Sequence, residues 1–152
     1  MRTVYRILAV VISIGVVVQA AAIAWALFDI ENKTDDGIFY TKDAGNGGVA
    51  LHSVVGEMII PILALALLVV AFFARIPGGV RWAAITFGLV VLQVVLGYAG
   101  KALPWIGVLH AVNAFALAAT ASVGARQARV AATPPTGEPA AGVPAGGSAA
   151  SA

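Results

Sequence analysis

The chain has 152 residues, of which 61% are hydrophobic and 11% charged, with a formal net charge of +2 and a mean hydropathy of +0.96. Soluble domains are about 45–50% apolar and about 25% charged, so this composition excludes an ordinary soluble globular protein. Cysteine is absent, which removes disulfides, thiolate metal sites, cysteine-ligated iron–sulfur clusters and covalent CxxCH haem attachment.

A helix needs roughly 20 apolar residues to cross a hydrocarbon core of about 30 Å. The first run that qualifies, about 7–28, carries no charge. It is longer than the roughly 7–15 residues of a signal-peptide core, so it reads as an uncleaved helix. An outer loop, 29–50, follows. There Asp35-Asp36-Gly37 and Gly45-Asn46-Gly47-Gly48 are turn chemistry around Ile38-Phe39-Tyr40, which predicts a short hairpin or a cap. The second span, about 51–74, is interrupted only by Glu57 and Pro61; the third covers about 80–98 and the fourth about 106–125. Backbone groups inside a bilayer must be satisfied within the segment, so all four are helices. The expected fold is an all-α integral membrane protein, an up-down-up-down four-helix transmembrane bundle occupying 1–129. Residues 130–152 are mainly Ala, Pro, Gly, Ser and Thr and read as a disordered cytoplasmic tail.

The basic residues set an expected orientation. Arg2, Arg6, Arg75, Arg81, Arg126 and Arg129 fall on one side, whereas Lys33, Lys42 and Lys101 fall on the other. By the positive-inside rule both termini are cytoplasmic in a multi-pass plasma-membrane protein. Trp25, Phe28, Tyr98 and Trp105 gather at the outer boundary, and Tyr5, Phe72, Phe73 and Trp82 at the inner one, as two aromatic belts. The arginines are accounted for by topology, and nothing points to nucleic acid.

The two halves of the bundle echo one another. Leu51-His52-Ser53-Val54 opens the second span and Leu109-His110-Ala111-Val112 opens the fourth, with the two histidines of the chain at matching places. Val16-Val17-Val18-Gln19 in the first resembles Val90-Val91-Leu92-Gln93 in the third. Two helical hairpins of one orientation result, and repeats of this kind place a site at their interface. The second and fourth helices are diagonal partners in such a bundle, so His52 and His110 approach its axis at similar depth. Neutral imidazole is a haem-iron ligand. Gly15, Gly56, Gly97, Gly107 and Ala114 lie about a turn from these polar residues and leave room for a macrocycle. Gln19 and Gln93 then line the cavity behind the ligands or meet haem propionates, and Asn113, a turn from His110, orients its ring or bridges helices.

Competing readings remain. Small residues also pack membrane helices with no cofactor, and two histidines leave half of a tetrahedral zinc or copper shell empty. Glu57, five residues past His52, points roughly 140° away on an α-helical wheel and is a separate candidate proton site. Pro61 leaves the Glu57 carbonyl without its helical donor, so Glu57 serves the helix, takes up protons linked to redox change, or drives transport.

A four-helix unit with one histidine on its second helix and one on its fourth, together with Gln93-x-x-x-Gly97, resembles one four-helix half of the haem A synthases over about residues 4–126. It is similar also to a small uncharacterised family of four-helix membrane proteins. The resemblance implies His52 and His110 as ligands of a b-type haem. The catalytic half of those synthases has a glutamate three residues before its second-helix histidine, where this chain has Val49. A haem-binding or electron-transfer protein is therefore expected rather than a stand-alone enzyme, with a quinol or an outer-face protein as redox partner and oligomers allowed. The alternative is a cofactor-free small transporter or assembly subunit that uses Glu57.

Overall fold

A computed structural model describes residues 1–39, 41 and 45–132. The described residues are all-helical: the first helix is Arg2–Asp35, the second Gly47–Ala74, the third Gly79–Ala102 and the fourth Ile106–Ala132. Each is long and apolar enough to cross a membrane, which is compatible with a multi-pass membrane protein.

Each helix overruns its expected apolar span at one end or both. In the first, Lys33 Nζ donates to Asp29 Oδ2 at 2.8 Å across one turn, and the helix continues to Asp35. Asp35-Asp36-Gly37 is then its C-terminal cap. Gly37 has φ +77°, its N–H donates to Thr34 O at 3.0 Å, and Ile38 N–H reaches Lys33 O at 2.8 Å. That pattern of bonds closes a Schellman motif. The hairpin expected around Ile38-Phe39-Tyr40 is thus not formed by Ile38 and Phe39, and Tyr40 and 42–44 lie outside the described residues. Gly45-Asn46-Gly47-Gly48 starts the second helix instead: Asn46 Oδ1 accepts from Val49 N–H at 2.9 Å, while its Nδ2 donates to Asp29 Oδ2 at 2.9 Å and to Ala26 O at 3.3 Å. One side chain caps the second helix and ties it to the first.

The fourth helix runs on to Ala132, so 130–132 are helical rather than tail; 133–152 lie outside the described residues.

The first helix packs against the second and fourth, and the third against the second and fourth, which leaves the second and fourth as diagonal partners. The core between them is built from Tyr5, Ile12, Leu67, Val90 and Leu117 with Ala9, Ala64, Ala83, Ala121 and Ala128. Small residues let the backbones close in where no water drives association. At Gly48 the approach is closest, since a Cβ there would stand 2.5 Å from Ala22 O. Large apolar side chains such as Val17, Phe72 and Phe115 point outward, the surface that lipid tails cover.

The bundle has two unlike ends. The terminus end is stitched by Tyr5, whose buried hydroxyl donates to Gly79 O at 2.9 Å, and by Arg2, which donates to Ala131 O at 2.9 Å. The loop end, where residues 36–46 and 103–105 connect the helices, carries the histidines.

The second helix is not α-helical throughout. It is α over Gly47–Val54, π over Val55–Ile59 and α again over Ile60–Ala74. Ile60 N–H donates to Val55 O, five residues back. Pro61 has no N–H to give the Glu57 carbonyl, and the widened turn sits just before it. Such single π turns inside α-helices recur at functional sites.

Candidate functional site

His52 and His110 meet across the diagonal, with ring centroids 6.1 Å apart and planes inclined at 54°. Both rings are half-buried. Each is held by the helix beside it in the same way. His110 Nδ1 lies 3.0 Å from Gln93 O, and Gln93 Nε2 returns a bond to His110 O at 3.0 Å. His52 Nδ1 lies 3.2 Å from Gln19 O. Gln19 returns the bond when its amide nitrogen is set toward His52 O at 3.0 Å, the orientation in which its oxygen also accepts from Gly56 N–H at 3.3 Å. Thus the sequence repeat is a structural repeat: one Gln–His bracket joins the first and second helices, and another joins the third and fourth.

The brackets differ in two respects. A carbonyl only accepts, so His110 bonded to Gln93 O carries its proton on Nδ1 and leaves Nε2 with a lone pair. At His52 the Gln19 carbonyl asks for the same tautomer, whereas the Gln19 amide nitrogen, 2.7 Å from Nδ1, serves the opposite one. Asn113 strengthens the second bracket alone. Its Nδ2 donates to Gln93 Oε1 at 2.6 Å and to Leu89 O at 2.9 Å. Gln19 and Asn113 are buried, and their amides are spent on holding helices and histidines.

Two cavities flank the imidazole pair, and both are lined by His52, His110, Gln93, Gly56, Ile23 and Ala111. One, about 200 Å³, runs toward the terminus end between Val16, Ile60, Val90, Ala114 and Leu117. The other, about 500 Å³, opens toward the loop end between Ser53, Glu57, Gly97, Gly100, Lys101 and Gly107. Gly97 keeps room for the ring: a Cβ there would lie 3.4 Å from His110 Cε1 and Nδ1. At Gly56 a Cβ would stand 3.1 Å from the Gln19 amide. Gly15 faces Ile60 instead, where its Cβ would be 3.3 Å from the Ile60 side chain.

The structure thus brings together His52, His110, Gln19, Gln93, Gly56, Gly97 and Asn113. Gln19 and Gln93 line the cavity, with their amides bonded to neighbouring backbone and, for Gln93, to Asn113. Glu57 and His52 both line the larger cavity, and the π turn over Val55–Ile59 departs from the uniform 100° per residue of an α-helical wheel. Glu57 Oε2 there accepts from Tyr98 Oη at 2.9 Å, and Lys101 Nζ lies 4.7 Å from the Tyr98 ring centroid. Tyr98 and Lys101 were legible only as an interfacial aromatic and a loop cation. Among the described residues no group of three or more His, Cys, Asp or Glu gathers as a metal-binding set.

A protein-family model described as a family of unknown function, DUF6220, matches residues 37–100. That segment includes His52, Glu57, Gln93 and Gly97 and stops short of His110 and Asn113. No curated protein and no solved structure matches the chain, and the comparisons give no link to the haem A synthases.

Proposed function

We propose that this protein is a membrane haem-binding protein that holds one b-type haem between His52 and His110 and works in electron transfer or haem handling. The observation that carries the reading is the histidine pair itself. Their ring centroids are 6.1 Å apart across the bundle, a separation at which both imidazoles would hold one haem iron.

The surroundings fit the group. Histidines that ligate metals give their other ring proton to a carbonyl or carboxylate, and His110 Nδ1 stands at the Gln93 carbonyl; the Gln19 carbonyl offers His52 the same partner when its Nδ1 carries the proton. The cavities to either side of the pair provide an apolar lobe and a polar one, as an amphiphilic macrocycle requires. A porphyrin supplies the four equatorial nitrogens that a two-histidine site lacks, which a bare zinc or copper ion would have to find elsewhere. When bound, the haem supplies one-electron exchange. The protein's part is to fix both imidazoles, keep their tautomer and exclude water. With arginines marking the cytoplasmic side, the site lies near the outer face of the plasma membrane, within reach of a quinol or an outer-face redox protein.

The test is haem titration of the detergent-purified protein beside His52→Ala and His110→Ala. Wild type is expected to saturate at one haem with sharp low-spin bands, and each variant to lose them. Low-spin binding that survives both substitutions contradicts the assignment.

One observation favours a second reading, a cofactor-free transporter or assembly subunit. Glu57 lies in a π turn, bonded to Tyr98, on the wall of the larger cavity, as a proton-carrying residue in a membrane protein would. The readings separate at Glu57→Gln, which leaves haem spectra intact under the first and abolishes function under the second.

A further inference from the structure

The cavity around the histidines is polarised along the bundle axis, and this bears on which way round a porphyrin sits. Apart from its His and Gln residues, the apolar lobe is closed by side chains such as Val16, Ile60, Val90 and Leu117, and no charged residue lines it. Besides the histidines, the polar lobe holds Glu57 and Lys101. They are not equivalent. The Glu57 carboxylate accepts the Tyr98 hydroxyl at 2.9 Å. Lys101, in the last turn of the third helix, has only the face of the Tyr98 ring, at 4.7 Å, and no carboxylate within salt-bridge distance among the described residues. Among the described residues it is the one lysine or arginine lining either lobe.

We infer that Lys101 anchors a carboxylate of the bound porphyrin, so that the propionate edge lies in the polar lobe at the loop end and the vinyl and methyl edge lies in the apolar lobe. The inference rests on the haem reading and adds the ligand's orientation and the group that sets it. Two carboxylates turned into the apolar lobe would be buried without partners, at a heavy desolvation cost. In the polar lobe they meet an ammonium whose flexible stem lets it stay at the membrane–water boundary while its head follows the ligand. Gln19 and Gln93 are already bonded to the histidine backbone; of the described donors lining this lobe Lys101 alone is cationic, whereas the Ser53 hydroxyl is neutral.

The experiment compares haem with haem dimethyl ester, in which both carboxylates are blocked, as ligands of the full chain in detergent. Wild type is expected to bind haem about tenfold tighter than the ester, the size of one hydrogen bond to a charged group. Lys101→Gln is expected to lower haem affinity about tenfold and leave the ester unchanged, and Lys101→Arg to restore the preference. Low-spin spectra with both ligands but equal affinities in wild type, or a preference that persists in Lys101→Gln, overturn the inference and leave the histidine site standing. No low-spin spectrum with either ligand overturns both.

Discussion

At the scale of single residues, the site is a matter of which atoms hold the imidazoles. His110 is gripped from two sides, by the Gln93 carbonyl on its ring and the Gln93 amide on its backbone, and Asn113 fixes that amide in turn. Outer partners of this kind are worth about 10–100-fold in affinity for the bound metal. Gln93→Leu is therefore expected to weaken haem binding by about that factor while the low-spin bands persist, since the main-chain carbonyl still takes the ring proton; a titration followed at the Soret band measures it. Unchanged affinity would mean that the bracket holds helices only. The pairing of each glutamine with a histidine was visible as a sequence repeat, because both repeats fall at the same depth. That the ring proton goes to a main-chain carbonyl was not visible, since every residue owns one and only the crossing of the helices selects it.

At the scale of elements, two features place His52. Gly48 lets the second helix touch the first, with 2.5 Å between a would-be Cβ and Ala22 O. Neither partner there is a flexible side chain, so Gly48→Val has to part the helices. A stability loss of about 1–3 kcal/mol or more is expected, read as a lower thermal midpoint and weaker haem retention. The π turn is the second feature. Pro61→Ala supplies the missing N–H to the Glu57 carbonyl and is expected to return the segment to α geometry. Slower hydrogen exchange across 55–61 would register the added bond, and unchanged exchange would show that Pro61 is not its cause. The spans themselves were legible because long apolar runs admit only helices in lipid. Their ends were not: Asp29, Lys33 and Asn46 read as loop in composition yet serve as an ion pair and a cap. The surroundings of Glu57 were not legible, because a uniform 100° per residue does not hold through the π turn over Val55–Ile59.

At the scale of the whole molecule, the pairing of helices followed from the repeat, since short connections between consecutive helices leave the second and fourth as diagonal partners. Orientation rests on six arginines against three lysines. With no native cysteine, single cysteines report it cleanly. Thr41→Cys is expected to react with an impermeant maleimide on intact cells, and Ala132→Cys only after the membrane is opened; the reverse pattern inverts the topology and places the site at the cytoplasmic face. The central claim is that the two halves meet on one haem, and an absorption spectrum tests it most directly. The protein, expressed with haem supplied and purified in detergent, is scanned oxidised and then reduced with dithionite. A Soret band that sharpens on reduction, with distinct α and β bands at one haem per chain, is the expected result. A colourless protein that stays colourless when haem is added contradicts it.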